Sequence, residues 1–121
     1  MNFVEFRKQL IFALPKGKVL KNPGKGISII KSISTDGIYY IRGNSTFHIS
    51  INEIYEAYKR FQGKNVSSTQ LKELKPYVYD SSINGHSCNC TFLFLILKEM
   101  GIVDTINGKG VKGDPFYVEI K

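Results

Sequence analysis

The sequence predicts an α+β fold: an N-terminal helix and a three-stranded β-meander, followed by three helices and a C-terminal β-hairpin. Three observations predict it. Strand-like alternation gathers in residues 26–51 and returns only at 116–121. Helical spacing with capping residues governs 3–13 and 51–75. A segment that is apolar around most of its helical circumference, 90–100, stands directly before the closing hairpin. Strands and helices that cluster in separate stretches, instead of alternating one by one, mark an α+β arrangement. The length of 121 residues fits a single domain spanning 1–121, with a helix-plus-meander part at 1–50 and a second half at 51–121.

The first helix is expected over about Phe3–Ala13. Asn2 and Glu5 form a capping pair, Phe3, Phe6, Leu10 and Ala13 or Leu14 follow helical spacing, and Pro15 stops it. Residues 15–26, PKGKVLKNPGKG, read as a solvated basic loop carrying Lys16, Lys18, Lys21 and Lys25. Lysines among exposed backbone N–H groups suit a phosphate, but the spacing is not that of a nucleotide-binding P-loop. The meander follows: Gly26–Ser34, an Asp36-Gly37 turn, Ile38–Arg42, a Gly43-Asn44 turn and Ser45–Ile51. In the last strand Phe47, Ile49 and Ile51 face inward, so His48 faces water or a neighbouring strand.

Ser50 and Glu53 open a helix to about Gln62, with Ile54, Tyr55, Tyr58 and Phe61 as its apolar stripe. Ser67 and Gln70 open a shorter one that stops before Pro76, and residues 77–86 read as a polar loop. In the helix Cys90–Met100 only Thr91, Leu95, Lys98 and Glu99 share the narrow outward arc, so the rest must be buried on several sides. Gly101 ends it. Its apolar run is far shorter than the roughly 20 residues a bilayer requires. Ile102–Ile106 and Phe116–Ile120 are then the two limbs of a hairpin, joined through Gly108, Gly110 and Gly113 with Lys109 and Lys112 near the tip.

Seventeen Lys+Arg against ten Asp+Glu give a formal charge of +7. Such an excess favours an anionic partner, nucleic acid before a membrane surface. The two cysteines, Cys88 and Cys90, flank Asn89 too closely for easy disulfide geometry. Free thiols, with no signal-peptide pattern at the N-terminus, predict a cytoplasmic protein.

The short helix SSTQLKELK, the helix NCTFLFLILKEMG and the segment IVDTINGKGVKGDPFYVEI together resemble a winged helix-turn-helix domain over residues 51–121. The resemblance implies double-stranded DNA as partner. It places His86, Ser87, Asn89 and Thr91 at the start of the third helix near bases or phosphates, and Lys109 and Lys112 of the wing on the backbone. Lys16, Lys18, Lys21, Lys25 and Arg42 are further candidate contacts. The helix lacks the run of Arg, Lys, Gln or Asn usual for base readout, so a protein-interaction module or homodimer stands as the alternative.

Three residue patterns bear on catalysis or metal binding. His86, Cys88 and Cys90 form H-x-C-x-C, but no second Cys/His cluster completes a zinc site, and packing explains a cysteine on an apolar helix. Cys88 near a helix start is a candidate nucleophile, yet no base is suggested by spacing. Asp104 with Glu119-Ile120-Lys121 resembles the D…ExK pattern of metal-dependent nucleases, a pattern any alternating strand generates. No catalytic residue, metal or cofactor is therefore expected.

Overall fold

The computed structural model describes residues 1–121. Helix α1 (Phe3–Ala13) begins where the Asn2 side chain accepts the Glu5 N–H at 2.9 Å. Strands β1 (Val19–Lys21), β2 (Ile27–Ile33), β3 (Gly37–Arg42) and β4 (Ser45–Ser50) form one antiparallel sheet in sequence order. Helix α2 (Ile51–Phe61) follows at once, capped by Ser50, whose hydroxyl accepts the Glu53 N–H at 3.0 Å. Then come β5 (Asn65–Ser67), α3 (Ser68–Leu74), α4 (Pro76–Tyr79), a 3₁₀ turn at Ser81–Ile83, α5 (Cys88–Glu99) and β6 (Tyr117–Glu119). This is the α+β architecture expected, with the first helix at its predicted bounds and the wing-like loop closing the chain.

Helix α5 is the centre. Phe92 to Leu97 are all buried. Burying side chains of this size contributes about 1.5–3 kcal/mol each. The inward row of the sheet, Leu20, Ile30, Ile38, Tyr40 and Ile49, closes one side. Tyr40 stacks on Phe92 with centroids 3.6 Å apart. Phe6 and Leu10 of α1, the stripe Ile54–Tyr58–Phe61 of α2, and Leu71 close the others. The resulting core cluster of 27 residues draws on both halves of the chain. Gly101, at φ +77°, ends α5: the Ile102 N–H reaches Leu97 C=O at 2.9 Å and the Gly101 N–H reaches Lys98 C=O at 3.0 Å, the paired bonds of a Schellman stop.

Four local expectations need correction. The meander gains a fourth strand, because Val19–Lys21 pairs with Ile27–Ile29 and buries Leu20 within what reads as a basic loop. Asn65–Ser67 is a strand too, paired with Tyr117–Glu119. The outgoing limb Ile102–Ile106 is irregular and meets the return limb through a bridge at Asn107 and Tyr117. Ile102 and Val103 fill the core there, so their backbone follows packing and not the ladder. Residues 76–83 are helical: Pro76 occupies the first helical turn, where its missing N–H costs nothing, and Tyr79 is fully buried. No helix is long and apolar enough to cross a membrane.

Candidate nucleic-acid interface

A groove of about 490 Å³ runs between the start of α3, the start of α5 and the loop 107–116, the segment expected as the wing. Its polar lining is Ser68, Thr69, Lys72, Ser87, Thr91 and Lys112. Local sequence sets each wall. The Ser67–Gln70 capping box closes in both directions, at 3.2 and 2.9 Å, and fixes where α3 begins. Pairing of Ser67 with Tyr117, extended by the Ser68 N–H to Phe116 C=O bond at 3.0 Å, ties that start to the wing's return limb. Phe116 then acts as a clip. A Cβ on Gly110 would lie 2.2 Å from its ring, and one on Gly24 would lie 3.5 Å away. Only glycine lets the wing wrap this close to the ring, and Gly24 of the loop that carries Lys25 faces the same ring, with room there for a Cβ at ordinary contact distance.

A second chain of bonds connects the groove to that loop. Arg42 donates from Nη1 to Thr91 Oγ1 at 2.8 Å and from Nε to Ser28 Oγ at 2.7 Å. Ser28 donates to Asn22 Oδ1 at 2.6 Å, and Asn22 donates to the Lys25 carbonyl at 3.2 Å. The Asn22 bond fixes the backbone of the loop that carries Lys25, and Lys21, Lys25, Lys109 and Lys112 are all exposed. Hydroxyls and ammonium groups around a concave surface offer hydrogen-bond donors and positive charge to an anion. Two acids lie close. Asp114 is half-buried in the wing, and Ser82 holds the Asp80 carboxyl below its usual range through hydrogen bonds, which keeps it ionised beside Lys72.

The expected site residues divide. Ser87, Thr91 and Lys112 line the groove, whereas Lys21, Lys25 and Lys109 are exposed and outside its lining. Lys16 and Lys18 do not join them. Lys18 pairs with Glu99 at 3.0 Å, at the far end of α5 and about 12 Å along its axis from Thr91. Three residues require correction. Asn89 is buried: its Oδ1 accepts the Tyr40 hydroxyl at 2.6 Å and its Nδ2 donates to Val78 C=O at 3.0 Å, so it cannot reach a base. Arg42 is half-buried, with Nε given to Ser28 and Nη1 to Thr91 while its buried Nη2 has no partner, and it braces the sheet against α5. His86 is exposed but sits edge-on to Phe47, 5.3 Å between centroids, in a separate cleft with His48 and Tyr77.

Lys72, Ser68 and Thr69 were missed. The signal was there: once Ser67 is the cap, Thr69 and Lys72 are three apart on one helix face.

The cysteine chemistry is divided by burial. Cys90 is 1% exposed, its thiol donating to the carbonyls of Tyr79 at 3.7 Å and Ser68 at 3.8 Å. Burial pushes this thiol up to about 12, so thiolate is scarce at neutral pH and nucleophilicity is lost. We expect a stoichiometric alkylating reagent to modify half-buried Cys88 and to spare Cys90 until the protein unfolds. Peptide mass mapping checks this, and equal labelling of both under native conditions would contradict it. Asp104, Glu119 and Lys121 do meet at one shallow cleft, but Lys121 Nζ rests on Asp104 Oδ1, so the lysine neutralises the carboxylate it would have to leave free for a metal.

Comparison with protein-family models, with curated proteins and with solved structures finds no match to this chain.

Proposed function

We propose that this is a small, basic, cytoplasmic DNA-binding protein that grips the duplex backbone with its C-terminal, winged-helix-like half. One observation carries the reading. A groove of hydroxyls and two lysines, formed by two helix starts and a loop, has Phe116 in its lining, and the ring faces Gly24 of a second lysine-bearing loop. The order of α2, α3, α5 and the wing loop supports the winged-helix comparison, and the bridge at Asn107 and Tyr117 supports the wing.

The same geometry argues against sequence readout. Base recognition needs free donors and acceptors along a helix that enters the major groove. On α5, Asn89 is buried and Thr91 is held by Arg42. Lys98 and Glu99 lie at its distal end. What remains contacts phosphates, which position a protein without specifying sequence. Two duplexes of unrelated sequence should therefore bind with equal affinity in fluorescence anisotropy, and that affinity should fall steeply with salt. In an amide-resolved NMR titration, shifts should gather at 68–72, 87–91 and 109–116. No binding at low salt would reject the proposal, and a strong preference for one duplex would reject backbone-only contact.

A further inference from the structure

We infer that the outer face of α1 is a two-fold contact between copies of this chain. Helix α1 exposes three large apolar side chains beside its polar ones. Phe6 and Leu10 fill the core from its inner stripe, with Phe6 against Tyr55 and Tyr58. On the outer stripe Val4 is 59% exposed, Ile11 38% and Phe12 90%. At helical spacing Lys8 lies between Phe12 and the Val4–Ile11 pair, so the outward face sets apolar groups around a charge. Phe12 is the most exposed large hydrophobic residue of the chain.

What covers it follows from the surroundings. Phe12 stands at the lip of a cleft of about 600 Å³ whose other lining residues are Lys8, Gln9, Ala13, Glu99 and Met100. A knob and a hole side by side on one face are self-complementary: under a two-fold axis each Phe12 enters the partner copy's cleft. An isologous contact demands that reciprocity. Charge points the same way. At a net charge of +7, copies repel over most of the surface. This rim carries one lysine and one glutamate, so Lys8 of each copy can face Glu99 of the other. Glu99 binds Lys18 through Oε2 and has a second carboxylate oxygen to offer. A nucleic acid or a strongly acidic protein finds here one lysine set beside a carboxylate and an exposed ring. A second copy is the occupant that satisfies ring, cleft and both charges. The contact does not involve the DNA groove, so it stands or falls independently of the proposed function.

The contact is small, and its Kd should be on the order of tens of micromolar. Sedimentation equilibrium from about 1 to about 500 µM tests it. The mass of the native chain should rise from monomer towards dimer. Phe12→Ser should raise Kd by about a hundredfold, because two rings leave each dimer. The exposure of Phe12 means its removal should leave the thermal transition unchanged. Lys8→Glu should weaken the dimer, and adding Glu99→Lys should restore it. Three results would each overturn the inference: monomer mass throughout, a dimer indifferent to Phe12→Ser, or a double charge swap that stays monomeric.

Discussion

Replacing Asn89 with alanine should lower folding stability by about 3 kcal/mol and leave the DNA affinity of the folded protein unchanged. Asn89 stands at the start of α5 where three other elements meet. Its Oδ1 takes the Tyr40 hydroxyl of β3 at 2.6 Å, and its Nδ2 donates to Val78 of α4 at 3.0 Å and to His48 of β4 at 3.4 Å. Tyr40 is fully buried, and Arg42 is the cation nearest its ring, 5.6 Å from the centroid. With alanine at 89, the buried Tyr40 hydroxyl loses its acceptor and the carbonyl of Val78 loses a donor. Each buried group left without a partner costs about 1–3 kcal/mol, well above the value of the bond itself. Urea denaturation should show a lower midpoint with an unchanged slope. If Asn89 instead read bases, the same substitution would weaken DNA binding and spare stability.

Gly110→Ala should destabilise the wing by about 2 kcal/mol and detach it from the Lys25 loop. Two costs add. The residue sits at φ +70°, a region that residues with a Cβ enter unwillingly, and the new methyl would lie 2.2 Å from Phe116 Cε2. The ring must then move, and it is the ring that bridges Gly110 and Gly24. Gly113→Ala is the control: φ is +84° but nothing lies within 4 Å, so only the backbone cost of about 1 kcal/mol applies. Limited trypsinolysis should cut after Lys109 and Lys112 faster in Gly110→Ala than in Gly113→Ala. Equal rates would mean that Phe116 does not clip the wing. DNA affinity should fall more in the first variant, because Lys112 and Lys25 lose their fixed relation.

What was legible in the sequence was what neighbours along the chain decide. The caps at Asn2, Ser50 and Ser67 announce their helices because a side chain three residues from its target needs no tertiary help. The β2–β4 meander and the burial of Phe92, Leu93, Phe94, Ile96 and Leu97 follow from period, but Leu95, which the period puts on the outward arc, is buried as well. β1 and β5 stayed hidden because each is three residues long and exists only through its partner strand. The site failed for a different reason. Arg42 and Thr91 are 49 residues apart, as are Tyr40 and Asn89. In each case a side chain that looks available for a ligand is consumed by another part of the same chain. Polar residues at a helix start advertise function equally whether solvent or a distant strand receives them, and only the packed fold distinguishes the two. Lys18 shows the converse, a lysine in a basic loop that the fold turns towards Glu99 and away from the groove.

The slope of log Kd against log salt for duplex DNA tests the account most directly, compared among the native chain, Lys72→Ala with Lys112→Ala, and Lys16→Ala with Lys18→Ala. Each phosphate contact contributes about 0.9 to that slope. The account predicts that the groove pair flattens it by about 1 to 2 while the Lys16 and Lys18 pair leaves it at the native value. A native slope in the groove pair, with the loss falling on Lys16 and Lys18, would contradict it.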